Sequence, residues 1–280
     1  MAARSYLFVP GDRPDMIAKA ATRGADALIL DMEDAVAPAA KLDARATIAA
    51  HLDEFGAGGP EVWIRVNNLP DLCEGDLAVA AHPVVQGVFL PKIQTAGEVE
   101  RAAAILDKAG RAGVPLDAMI ETGRAVLEAE AIATAPNVVH LTLGLADLSA
   151  DLHVNGAPDD PVWAPIRLQV VIVSAATGLD PPIAPVSPNF TDLGAFAAGC
   201  STWADAGYGG RQAIHPAQVQ TINSAFNPSD EELAEARRLL ALFDAALADG
   251  RGAIRDRDSN MLDEAFVRRA RRIVALADDS

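Results

Sequence analysis

The stretch ADALILDMEDAV, residues 25–36, decides the fold. Its centre, Ala27–Leu30, is a short apolar run with no alternation of polarity. Such a run reads as a strand covered on both faces, as in a parallel sheet under helices. Three carboxylates, Asp31, Glu33 and Asp34, follow at its C-terminal end. Seven more runs of the same kind lie around it: Tyr6–Val9, Val62–Val66, Gly87–Leu90, Leu116–Ile120, Val138–Leu143, Ile183–Val186 and Gln212–Ile214. Between them are Ala- and Arg-rich stretches with helical periodicity, at 13–23, 38–55, 95–112, 124–135, 161–177 and 191–206, and shorter ones at 71–82 and 216–226. Pro14 and Thr191-Asp192 open two of these, and Gly24, Gly113, Gly178 and Gly207 stand where helices should stop. Eight strands alternating with helices predict an α/β fold, a (β/α)8 TIM barrel. An open doubly wound sheet competes with it, but no G-x-G-x-x-G follows the first run. Beyond Asn227 the chain reads helix at 229–248, a Gly/Arg/Asp loop at 249–260 and helix at 262–277. The expected organisation is a TIM-barrel catalytic domain at 1–228 and a C-terminal helical extension, or lid, at 229–280.

Composition narrows the class of function. The chain has 280 residues, half of them hydrophobic, which suits one barrel and excludes a disordered chain. The net charge of −16 argues against a nucleic-acid or anionic-membrane partner, because polyanions would be repelled. The last thirty residues hold seven arginines against six acidic residues, so the negative excess lies in the first 250 residues. Cys73 and Cys200 are the only cysteines, too few for a disulfide framework or a thiolate metal site. No apolar run approaches a membrane span or a signal-peptide core. A cytoplasmic enzyme is the expected setting.

The polar residues gather at one end of the predicted strands. The C-terminal ends give Arg13, then Asp31, Glu33 and Asp34, then Arg65 and Asn67, Lys92, Glu121, Asp147, Ser187 and Asn189, and His215. In a barrel these ends converge on the rim where active sites lie. Five carboxylates against Arg65 and Lys92 would repel one another without a further cation. With no Cys/His cluster, oxygen ligands and Mg²⁺ or Mn²⁺ are the expected choice, and Glu121 and Asp147 come from adjacent strands. Plainer roles compete. Asp34 and Asp147 could cap helices, Glu121 could favour a helix N-terminus, Arg65 could pair with a strand-two carboxylate, and His215-Pro216 could shape a turn.

Taken in order, RSYLFVPGDRPDMIAKA, ADALILDMEDAV, VWIRVN, GVFLPKI, MIETGRAV, LTLGLADLSADL, GGRQAIHPAQV and MLDEAFVRRARRIV resemble the HpcH/HpaI aldolase–citrate lyase β-subunit family, in its CitE-like branch. The resemblance implies a barrel assembled as homotrimers or hexamers that cleaves or forms a C–C bond in CoA thioesters of hydroxy acids, with Mg²⁺. By motif, Glu121 and Asp147 match the metal ligands, and Arg65 matches the arginine that holds the keto-acid carboxylate. Phe8, Arg13 and Lys19 match the first-strand region that meets substrate or CoA. Asp263 resembles a lid aspartate that acts in a neighbouring subunit's site.

The residue types suit that chemistry. Retro-aldol cleavage needs a base for the hydroxyl and stabilisation of developing oxyanions, which a hard divalent ion and a bidentate arginine can supply. In the synthetic direction Asp263 is the candidate base at the acetyl-CoA methyl group. Three other readings compete. One is a citrate lyase subunit served by an acyl carrier protein. Another is a malyl-CoA thioester hydrolase on the same site. The last is a non-catalytic barrel.

Overall fold

The computed structural model describes residues 3–68, 70–248, 254–255, 261–262 and 264–278. They form two compact units, Ala3–Phe226 and the chain from Asn227 onward.

The first unit is a closed barrel of eight parallel strands in sequence order. The strands are β1 (Ser5–Pro10), β2 (Ala27–Asp31), β3 (Glu61–Arg65), β4 (Val85–Leu90), β5 (Leu116–Ile120), β6 (Val138–Leu143), β7 (Ile183–Ala184) and β8 (Gly210–Ala213). The helices of this unit are α1 (Pro14–Ala20), α2 (Lys41–His51), α3 (Pro70–Ala80), α4 (Ala96–Lys108), α5 (Gly123–Leu127), α6 (Ala129–Ala133), α7 (Leu145–Leu152), α8 (Ala164–Thr177), α9 (Leu193–Asp205) and α10 (Pro216–Ala225). The TIM barrel expected from the sequence is the fold observed.

The strand pleat sorts the side chains into two cores. Leu28, Leu30, Ile64, Val88, Ala118 and Ile120 point outward into the layer shared with the helices. Tyr6, Ile29, Trp63, Phe89, Met119 and Ile183 point inward. The Tyr6, Trp63, Phe89 and His140 rings meet edge-on or tilted at 5.4–6.4 Å between centroids and fill the barrel interior. Gly87 is required there, because a Cβ would enter the Trp63 ring.

Several boundaries differ from the sequence reading for local reasons. The seventh strand ends at Ala184 rather than Val186, because Pro185 has no N–H for the ladder. The eighth starts at Gly210 and stops at Ala213. The stretch 124–135 is two short helices, broken at Glu128. A further helix, α7, begins at Leu145, so Asp147 lies in its first turn and not at its cap. Gly178 closes α8 with a left-handed φ of 76°, as its position in the sequence suggested.

The second unit contains α11 (Asp230–Ala248), the short antiparallel pair β9 (Ile254–Arg255) and β10 (Met261–Leu262), and α12 (Glu264–Asp278). The two helices pack on each other, and Ala236, Phe243, Val267 and Ala270 on them are buried. No helix among the described residues is long and apolar enough to cross a membrane.

Candidate active site

Inward-facing positions at the strand ends carry charge where the positions below carry apolar side chains. Arg65 follows Trp63 by two residues on β3, and Asp31 follows Ile29 by two on β2. Asp31 and Arg65 are register partners, so the pleat aims both into the same space. Arg65 donates Nε and Nη2 to the two Asp31 oxygens, both at 2.6 Å, and Nη1 lies 3.2 Å from Glu33. Its guanidinium stacks 4.6 Å from the centre of the half-buried Phe8 ring. Burial alone would lower the Arg65 pKa. The Asp31 hydrogen bonds and the nearby carboxylates overcome that and hold it above its ordinary value. Asp31 also accepts the N–H groups of Glu33 and Ala35, so the loop after β2 is wrapped around one fully buried carboxylate.

Lys92 continues this network. Its ammonium pairs with Glu33 and, at 3.0 Å, with Asp34. Burial raises the Glu33 pKa despite the pull of Arg65 and Lys92. Burial also pushes on Asp34, but the Lys92 hydrogen bonds outweigh it and the carboxyl sits below its ordinary value. A supporting layer lies behind. Lys41 donates to the carbonyls of Met32 and Glu33 and to Asn67, while Asn67 donates to Met32 and to the buried Asp76, which Arg45 pairs at 2.7 Å. Lys41, Arg45 and Asp76 were not flagged by the sequence reading. They lie on helical stretches, between 8 and 31 residues from their partners in the chain.

Asp31, Glu33 and Asp34 are each in an ion pair with Arg65 or Lys92, two cations against three carboxylates, so part of the rim charge is balanced from within the barrel. Glu121 and Asp147 have no basic side chain in salt-bridge contact among the described residues. Glu121 is buried. One oxygen accepts the Lys92 N–H at 2.6 Å, and the other accepts no hydrogen bond among the described residues. Its pKa is pushed up to about 7, first by burial and then by the charges of Asp147 and Glu33. Gly144, at the start of α7, packs directly on the Glu121 carboxylate, and a Cβ there would lie 2.7 Å from its carboxyl carbon. Thr122 caps α5 by accepting the Ala125 N–H, which leaves Glu121 free of a capping role.

A magnesium ion suits this pair. No group of three or more His, Cys, Asp or Glu side chains among the described residues could enclose a metal. Mg²⁺ takes one or two carboxylates and keeps its other positions for water and substrate, and two hard carboxylate donors without a basic partner match that habit.

The other predicted residues are placed as follows. Arg13 is exposed and pairs with Asp15 at 3.3 Å. Lys19, with Arg23, lines a cleft between α1 and the turn after β8, together with Phe8, Met16 and Ile214. The barrel thus brings Phe8 to both Arg65 and this cleft, and sets Arg13 against an acidic neighbour. His215 caps α10 by accepting the Ala217 N–H at 3.1 Å and stacks on Phe190, the turn-shaping role. Asp263 lies outside the described residues.

A model of the HpcH/HpaI aldolase/citrate lyase family matches residues 4–216. The chain belongs to that family. A (3S)-malyl-CoA thioesterase of Cereibacter sphaeroides is 31% identical over 98% of this chain and 94% of its own. An L-malyl-CoA/β-methylmalyl-CoA lyase from the same species is also 31% identical, with the same coverage. The fold superposes with a TM-score of 0.82 on CitE from Mycobacterium tuberculosis, crystallised with magnesium, acetoacetate and coenzyme A. That structure is 29% identical, covering 99% of this chain and 98% of the other. Magnesium and CoA thioesters are therefore the cofactor and substrate types of this chain's relatives.

Proposed function

We propose that this protein is a Mg²⁺-dependent carbon–carbon lyase or synthase for CoA thioesters of hydroxy acids, of the citryl-CoA or malyl-CoA type. It would join or release acetyl-CoA or propionyl-CoA and an α-keto acid. The observation that carries the reading is the division of charge at the rim. Arg65 and Lys92 pair with Asp31, Glu33 and Asp34, and Glu121 and Asp147, which have no such partner among the described residues, are left to hold the metal. When bound there, Mg²⁺ supplies polarisation of the hydroxyl or keto oxygen beside the substrate carboxylate and lowers the hydroxyl pKa. A guanidinium has five N–H donors. Asp31 and Glu33 engage three nitrogens once each, so N–H groups remain on Nη1 and Nη2 for the keto-acid carboxylate. Asp31 fixes the plane in which they point. Phe8 covers one face of the guanidinium and excludes water from it. Lys19, with Arg23 beside it, is assigned to the CoA phosphates, and Arg13 to the same approach. Asp263 is assigned the proton transfer at the acyl-CoA α-carbon, delivered by the 229–280 extension of a neighbouring subunit in a homotrimer or hexamer. The two free cysteines suit a reducing cytoplasm.

The test is an assay of the full-length protein with Mg²⁺ and malyl-CoA, β-methylmalyl-CoA or citryl-CoA. Keto acid and acyl-CoA should appear together and disappear with EDTA. Folded protein that turns over none of the three refutes the proposal. A second reading, thioester hydrolysis, is favoured by the similarity to the thioesterase, and free hydroxy acid with CoA thiol but no keto acid would establish it. A third, service to an acyl carrier protein as a citrate lyase subunit, requires co-purification with that carrier. For the lid, a chain ending near Asp249 should keep a folded barrel and lose turnover.

A further inference from the structure

Lys92 is unusual at the rim because of its backbone. Its φ is 54°, a left-handed conformation that residues with a side chain seldom adopt and that gathers at functional sites. Among the described residues only Asn137 and His153 share it without being glycine, and neither sits at the carboxylates. Three groups of Lys92 tie down three different strand ends. Its N–H donates to Glu121 Oε2 at 2.6 Å, beyond β5. Its carbonyl accepts from Asn68 Nδ2 at 2.9 Å, beyond β3. Its ammonium holds Glu33 and Asp34, beyond β2, and Glu33 in turn touches Arg65. In a right-handed or extended conformation the same residue would turn its N–H away from Glu121. The left-handed turn is therefore what lets one residue serve the metal carboxylate and the acidic loop together.

We propose that Lys92 is a positioning residue with two separable duties. Its left-handed backbone aims Glu121 at the metal, and its ammonium holds the acidic loop so that Arg65 stays available to the keto acid. This rests on the reading of Glu121 and Asp147 as metal ligands. The two duties separate by substitution, because glycine accepts the left-handed conformation and a β-branched residue resists it. The comparison is between Lys92→Gly and Lys92→Ile, which both lack the charge and differ in backbone preference.

The experiment uses the full chain without thioester. Mn²⁺ binding is followed by electron paramagnetic resonance, and glyoxylate binding in the presence of Mg²⁺ by calorimetry. Lys92→Gly should bind Mn²⁺ within about threefold of wild type, or tighter because a nearby cation is gone, and bind glyoxylate at least about tenfold more weakly. Lys92→Ile should bind Mn²⁺ about tenfold more weakly than Lys92→Gly, the scale set by the left-handed penalty of a β-branched residue. A purely structural role would lower Tm in both variants and leave both dissociation constants unchanged, which overturns the proposal. So does Lys92→Gly losing Mn²⁺ binding with its fold intact, and that arm decides the matter even if Lys92→Ile fails to fold. Wild-type protein that binds no Mn²⁺ overturns the metal reading and this inference with it. Wild-type binding matched by Lys92→Ile overturns this inference alone.

Discussion

Gly144→Ala tests how tightly the site is built around Glu121. The backbone at Gly144, φ −100° and ψ 82°, is open to alanine, so the substitution brings no conformational strain of its own. The glycine is pinned on both sides. Its N–H donates to the Ile120 carbonyl at 3.1 Å and its carbonyl accepts from Leu148 at 3.1 Å. The new methyl would lie 2.7 Å from the Glu121 carboxyl carbon. Ordinary contact begins near 3.4 Å, and the backbone cannot retreat without breaking a helix start, so the carboxylate must move by roughly 1 Å. A displacement of that size at a catalytic group costs on the order of 100-fold in rate, or about 2.7 kcal/mol in the barrier. Overpacking should also cost about 1–3 kcal/mol of stability. The assay is kcat/KM with the best thioester, alongside Mn²⁺ affinity and Tm. Gly123→Ala is the matched control. Its methyl would meet mainly the far end of Leu152, at 2.9 Å, a flexible side chain that can yield, and about threefold or less is expected. Folded Gly144→Ala with kcat/KM within threefold of wild type would refute the reasoning.

Three further outcomes can be checked. Asp117 is fully buried in the barrel interior, where burial pushes its carboxyl up to about 8. A carboxyl raised above its unfolded value near 4 contributes stability that is complete below that pH and lost as pH rises through about 8. Urea midpoints of wild type should therefore fall between pH 5 and 9, and Asp117→Asn, which can still accept from Thr142, should flatten that fall; parallel curves would contradict it. Arg65→Lys cannot make the paired contact with Asp31 and should raise the KM for keto acid by at least about tenfold while lowering Tm; an unchanged KM would remove Arg65 from substrate binding. Glu121→Gln should abolish Mn²⁺ binding without unfolding the barrel, and retained affinity would move the metal elsewhere.

Much of the barrel is legible because its strands are buried on both faces. An apolar run bounded by turn residues is an almost sufficient signal for β2 or β5. It fails at β7, where prolines cut the ladder short inside an apolar run. The rim residues are legible as a set, because charge at the end of an apolar run is costly unless it is paired or used. Their pairing is legible only in outline: Arg65 reads as a partner for a strand-two carboxylate, but not for which one. Asp31 and Arg65 are thirty-four residues apart and meet only because their strands pair in one particular register. Which of the five carboxylates Arg65 and Lys92 take, and which remain for a metal, follows from that register. Asp76 and Lys41 escaped notice because a polar residue on an amphipathic helix looks like solvent-facing surface. Asp117 and His140 did leave a signal. Each is a polar residue within an apolar run, and the pleat turns both toward the interior.

The aromatic layer formed by Tyr6, Trp63, Phe89 and His140 also has a kinetic meaning. It makes the barrel blind-ended, so reactants enter and leave by a single mouth. On the function proposed above, a keto acid held by the buried Arg65 would sit deeper than a thioester approaching along the exposed Lys19. In the joining direction the small acid must arrive first, and in the cleaving direction it must wait for the acyl-CoA to depart. Product-inhibition patterns should then be those of a compulsory queue, with the keto acid competing for the free enzyme.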